Sequence, residues 1–100
     1  MSEQTTLEME GQAQVAAEFL KALAHESRLL VVCLLGEEER NVAELQERLG
    51  LSQSNVSQHL AKLRSCGVVE TRREGNQVYY RVKDPKVLEL VHVLQRLFCG

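Results

Sequence analysis

The apolar positions of this chain change period several times, and each change marks an element. Between about Glu10 and Ala24, Val15, Phe19 and the pair Ala22/Leu23 recur at helical spacing with alanines between them. That pattern predicts a helix with one apolar side. Gly11 weakens its start, and residues 1–9 are expected to form a flexible tail. His25-Glu26-Ser27 interrupts the pattern. A second helix is expected from Ser27 to Leu35. Its stretch LLVVCLL is apolar on every side, so most of it should be buried, and Gly36 should end it. The charged loop Glu37-Glu38-Glu39-Arg40 follows.

The next two segments are amphipathic and short. In NVAELQERL, Val42, Leu45 and Leu49 share a face, Asn41 is a good N-cap, and Gly50 stands where a helix commonly turns left-handed. In LSQSNVSQHLAKLRSC, Ser52 is the N-cap and Val56, Leu60 and Leu63 form a narrow apolar stripe. Two short helices joined by about four residues that include Gly predict a helix-turn-helix, with the second helix as reader. Gly67 stops that helix. Val68 to Glu74 alternates like a strand, Gly75-Asn76 suits a tight turn, and Gln77 to Val82 reads as a second strand. Asp84-Pro85 opens a last helix with proline at its first position. Its apolar face comprises Val87, Leu88, Val91, Leu94, Leu97 and Phe98. The order α-α-α-α-β-β-α is mainly helical with a β-hairpin wing: a winged helix-turn-helix in one domain, residues 10–100. A terminal helix this apolar in so small a domain either closes the monomer core or packs against a second copy, and the second, a homodimer, is the expectation. Two reading helices would then address two half-sites about one DNA turn apart.

Bulk properties sharpen this picture. The net charge of −2 argues against nucleic acid until it is resolved along the chain. Residues 1–50 carry −6, residues 51–82 carry +3 and residues 83–100 carry +1. The positive charge thus falls on the expected reading unit, where phosphates would need it. On the reading helix, Gln53, Ser54, Asn55, Ser57 and Gln58 are uncharged and can both donate and accept hydrogen bonds, which suits base edges in a major groove. A merely solvated face would more often carry Glu and Lys. No apolar run is long enough to cross a bilayer and no secretion signal is evident, so a cytoplasmic protein with reduced cysteines is expected. Nothing resembles a nucleophile–base–orienter set or a phosphate-cradling Gly loop, so no enzymatic role is expected.

The strings ALAHESRLLVVCLL, VAELQERLGLSQSNVSQHLAKLRSCGVV and RREGNQVYYRV resemble the ArsR/SmtB family of bacterial winged-helix repressors over about Phe19 to Cys99. The resemblance implies a homodimer that blocks transcription at an inverted-repeat operator on double-stranded DNA and releases it on sensing a ligand. It assigns base contacts to Gln53, Ser54, Ser57 and Gln58. His59 either joins them or ties the helix to its neighbours. Lys62, the wing residues Arg72 and Arg73, and Gln77 complete the expected DNA-binding set.

Many members of that family sense metals. The first helix of the helix-turn-helix here, VAELQERL, offers neither Cys nor His, and the last helix offers only Glu89 and His92, so no metal site and no cofactor are expected. Taken singly, Cys33 reads as a small core residue and Cys99 as an exposed thiol near the chain end. Together, VVC on the second helix and LFCG on the last resemble the family's dithiol, persulfide-sensing branch. That resemblance implies that a persulfide or polysulfide donor joins Cys33 and Cys99 within one protomer as a di- or polysulfide, by thiol–disulfide exchange, and so releases the operator. Cys66 has no counterpart there and reads as a bystander. Two alternatives stand beside this one: the same repressor sensing general oxidants or a thiophilic ion such as arsenite, and a winged-helix interaction module that does not touch DNA. Which cysteine attacks first is open at this point, since apolar surroundings at Cys33 and the negative end of a helix dipole at Cys99 should both keep a thiol protonated.

Overall fold

The structure, a computed structural model, describes the backbone of residues 3–99 and the side chains of residues 10–99; Met1, Ser2 and Gly100 lie outside the described residues. The chain runs α1 (Glu3–Leu23), α2 (Glu26–Glu37), α3 (Val42–Leu49), α4 (Gln53–Ser65), β1 (Val69–Glu74), β2 (Gln77–Val82) and α5 (Pro85–Phe98). This is the expected winged helix-turn-helix.

Local signals set most of these ends. Asn41 and Glu44 form a reciprocal capping box: Glu44 N–H donates to Asn41 Oδ1 at 2.9 Å and Asn41 N–H donates to Glu44 Oε1 at 3.1 Å. Each exchange satisfies a backbone donor that the first turn of α3 would otherwise leave orphaned. Gly50 closes α3 with φ 69°, a conformation that disfavours any residue with a Cβ. Ser52 Oγ accepts from Asn55 N–H at 3.2 Å and opens α4. Asp84 Oδ1 accepts from Lys86 N–H at 2.9 Å, with Pro85 at the first helical position of α5. The hairpin pairs Val69 with Val82 through to Glu74 with Gln77.

Two helix ends differ from expectation. The backbone of α1 is helical from Glu3 rather than from about Glu10, so most of the expected tail is helix. A single internal glycine costs a helix only about 1 kcal/mol, too little for Gly11 to stop a run rich in Glu, Gln and Ala. Gly36 does not end α2, which continues to Glu37. Its reason is close packing: a Cβ at Gly36 would sit 3.3 Å from Leu88 Cδ2 on α5, so the absent side chain lets α5 approach.

The inward stripes meet in one core. Leu45 of α3, Val56, Leu60 and Leu63 of α4, Val31 and Val32 of α2, and Val87 of α5 are essentially inaccessible to solvent. Burying each such side chain contributes roughly 1.5–3 kcal/mol. α1 contributes Ala22 and Leu23 at its end, while Val15 is 70% exposed. α5 is buried along Val87 and Val91 but leaves Leu97 67% and Phe98 80% exposed. An open groove of about 590 Å³ runs between α1 and the start of α5, lined by Gly11, Val15, Ala16, Phe19 and Lys86 among others.

Candidate nucleic-acid interface and cysteine pair

Burying Val56, Leu60 and Leu63 turns the opposite side of α4 to solvent. Gln53, Ser54, Asn55, Ser57, Gln58 and Lys62 are all exposed there. Ser54 Oγ lies 3.3 Å from the capping Ser52 Oγ. Among the described residues, Gln53, Ser57, Gln58 and Lys62 make no side-chain hydrogen bond, so their donors and acceptors are available to a ligand. No acidic side chain stands on α4, and its positive residues Lys62 and Arg64 lie in the last turn, where they also suit the helix dipole.

His59 has a different setting. It is half-buried, and its ring centroid lies 4.7 Å from that of His25, the N-cap residue of α2. Burial, aided by the nearby charges of His25 and Arg28, holds its pKa below the ordinary 6.5. Of its two expected roles, the structure displays the tie between α4 and α2.

On the wing the expected contact residues Arg72 and Gln77 are engaged within the protein. Arg72 is not a free cation. Its Nε and Nη2 donate to the Glu39 carboxylate at 2.9–3.2 Å, and its Nη1 donates to Glu74 Oε2 at 2.8 Å. The guanidinium also lies 5.1 Å from the centre of the Tyr79 ring, within cation–π range. Arg81 Nε donates to Glu70 Oε1 at 2.8 Å. Arg73 is exposed and has no ion pair among the described residues. Gln77 Oε1 accepts from Asn41 Nδ2 at 3.3 Å, which ties the wing to the cap of α3.

Sequence reasoning passed over Arg40, which anchors this arrangement. It is 3% exposed. Its N–H donates to Tyr80 O at 3.1 Å and its carbonyl accepts from Tyr80 N–H at 2.8 Å, so one residue acts as a third strand beside β2. Its guanidinium donates to Leu34 O at 3.2 Å and pairs with Glu37 and Glu38, each at 3.3 Å. A buried charge needs such partners. The one signal available was a lone arginine closing a run of three glutamates.

Cys33 is half-buried on α2; Cys99 is exposed at the C-cap of α5, its N–H donating to Gln95 O at 2.8 Å. Their thiols are free. The Cys33 pKa is raised, first by burial, then by the negative charge of a Cys99 thiolate and of Glu37. Far apart in sequence, Cys33 and Cys99 stand on α2 and at the end of α5, two helices that meet where Leu88 faces Gly36. Cys66 is exposed at the end of α4, with Ser65 Oγ 3.9 Å from its sulfur. Among the described residues, no three His, Cys, Asp or Glu side chains form a metal-holding group, and no helix is long and apolar enough to cross a membrane.

A capped reading helix with a free polar face, followed by a hairpin, defines a winged-helix DNA-binding regulator. Residues 25–71 match the family of bacterial regulatory proteins described as the arsR family. The Biofilm growth-associated repressor of Xylella fastidiosa (strain 9a5c) is 43% identical over 96% of this chain and 84% of its own length. The transcriptional activator HlyU of Vibrio cholerae is 46% identical over 92% of this chain and 85% of its own. Among solved structures, reduced HlyU from Vibrio cholerae superposes with a TM-score of 0.88 at 45% identity, covering 93% of this chain and 98% of that one. The repressor BigR from Xylella fastidiosa gives a TM-score of 0.87 at 41% identity, covering 100% and 99%. The chain belongs to the ArsR family: it is a DNA-binding transcriptional regulator, of a family that acts by binding rather than by catalysis.

Proposed function

We propose that this protein is a cytoplasmic, homodimeric repressor that occupies an inverted-repeat operator and releases it when reactive sulfur species join Cys33 to Cys99. The observation that carries this reading is the placement of two free thiols on helices that pack together: Cys33 half-buried on α2, and Cys99 exposed at the end of α5, whose Leu88 closes on Gly36 of α2. The exposed apolar residues Val15, Leu20, Leu97 and Phe98, together with the groove along α1, support a second copy as the occupant of that surface. The name of the Xylella relative supports repression, and the HlyU structure described as reduced supports a thiol state that varies in this family. Gln53, Ser54, Ser57 and Gln58 read bases, while Lys62 and Arg73 meet phosphates.

Exposure supports Cys99 as the first thiol to attack. The accessible Cys99 thiolate attacks the outer sulfur of a persulfide RSSH; the S–S bond of the donor breaks and the thiol RSH leaves. Cys99 then carries a persulfide. The Cys33 thiolate attacks the inner sulfur, hydrosulfide departs, and a Cys33–Cys99 disulfide remains. A second persulfide equivalent gives the trisulfide, with one more RSH released. In each case the two electrons lost by the pair end on the departing thiol and hydrosulfide. Because the Cys33 thiol is held protonated, ring closure should accelerate as pH rises through and beyond the ordinary thiol range. The bridge would fasten α2 to α5, and α2 leads through Arg40 to the wing.

The test is operator binding by Cys33→Ser and Cys99→Ser variants before and after persulfide. Both should bind like the wild type and neither should let go on treatment; a Cys33→Ser variant that still released DNA would remove the dithiol model. Mass spectrometry after persulfide, peroxide and arsenite in separate samples decides the inducer. Persulfide alone releasing the operator, with the disulfide or whole sulfur atoms found bridging the pair, supports this reading. Equal release by peroxide, or an arsenic adduct, would replace it with a general oxidant or thiophilic-ion sensor.

A further inference from the structure

The charge that the wing offers to DNA is governed by a residue outside the wing. The hairpin register places Glu70, Arg72, Glu74, Tyr79 and Arg81 on one face. Glu39, in the loop before α3, lies across that face. It takes two donors of Arg72, the shorter contact at 2.9 Å, and stands 4.0 Å from Arg81 Nη1. Glu74 and Glu70 occupy further donors of the two arginines, each at 2.8 Å. Three carboxylates thus face two guanidiniums, and this side of the wing has no surplus positive charge. Arg73 points to the other face. Arg72, with two donors on Glu39, and Arg81, hydrogen-bonded to Glu70 and 4.0 Å from Glu39, must give up those partners before they can neutralise a phosphate, whereas an unpaired arginine need not. The Arg72 hydrogen bonds hold the Glu39 carboxyl below its usual pKa, so the competitor remains charged.

We propose that Glu39 limits the electrostatic share of DNA binding: it is an internal counter-anion that withholds Arg72 and Arg81 from phosphates and leaves Arg73 as the wing's cationic contact. This holds whatever Cys33 and Cys99 sense. Sequence-independent affinity grows with each phosphate neutralised, and each adds about 0.9 to the slope of log affinity against log salt. Glu39→Gln would release arginines to phosphates.

The experiment measures binding of the reduced, full-length protein to a random-sequence duplex over a salt series, with thermal melts run alongside. E39Q should bind several-fold more tightly at low salt, with a slope steeper by about one to two per protomer. R72Q should leave the wild-type slope unchanged, R73Q should make it shallower by about one per protomer, and adding R72Q to E39Q should reverse part of the gain. An E39Q slope equal to wild type would overturn the proposal. So would an R72Q slope as shallow as that of R73Q, an arm that stands even if E39Q does not fold.

Discussion

The reading helix α4 and the wing both face solvent beside each other, yet they are built on opposite principles. On α4 the inner stripe is wholly buried and the outer face is left unengaged: its amides and hydroxyls have almost no partners within the protein. On the wing most outward polar side chains are engaged. Arg72, Arg81 and Gln77 are all committed to neighbours, and among the described residues Arg73 is the wing arginine without an ion pair. Burial fixes α4 and leaves its chemistry to the ligand. Charge pairing fixes the wing and uses much of its chemistry in doing so. A basic hairpin is therefore not the same thing as a cationic surface.

Changes to α4 from within should have the largest effect. Leu60→Ala empties a fully buried position and should lower stability by about 2–5 kcal/mol, read by chemical denaturation. A smaller effect there would mean that α4 is held by something other than its stripe. On its outer face, Gln58→Ala should weaken operator binding by about 1–3 kcal/mol at unchanged stability and unchanged salt slope. Lys62→Gln should instead weaken binding to any sequence and reduce the slope by about one per protomer. If the two variants behaved alike, the division into base-reading and phosphate contacts would fail.

Asn41→Ala probes the joint between the two regions, since Asn41 caps α3 and donates to Gln77 on the wing. It should cost about 1 kcal/mol in thermal or chemical unfolding. The smallest effect concerns pH. The folded state holds His59 below 6.5, so the unfolded chain takes up its proton first as pH falls. Stability from this residue is therefore full above about pH 6.5 and declines as pH drops from there toward the folded value. His59→Gln should flatten the fall in Tm between about pH 7.5 and 5.5; an unchanged profile would mean that burial of the imidazole, with the nearby charges of His25 and Arg28, carries no linkage.

What could be read from the chain follows the same division. The limits of α3 and α4 were legible because caps and turns act over a few residues: Asn41 on Glu44, Ser52 on Asn55, Gly50 on its own φ. The outward polar face of α4 followed from its inward stripe by geometry alone. The far end of α2 was misread because the reason for Gly36 is Leu88, on a different helix. Glu39 was counted with the acidic first half of the chain, although it sits on Arg72, 33 positions later. Charge summed along the sequence thus overstated the wing's positive potential. Arg40 escaped notice for the same reason, its strand partner being Tyr80.

The two hydrogen bonds between Arg40 and Tyr80 have a topological consequence. They fasten the polypeptide into a closed circuit that leaves α2, passes through both helices of the reader, goes out along the hairpin and returns. Every residue proposed to meet the double helix lies on that loop, whose two ends run into α2 and α5 and whose inner side shares their core. A shift of α2 or α5 would thus reach α3, α4 and the hairpin together, because the Arg40–Tyr80 pair and the shared core tie all three to the same base.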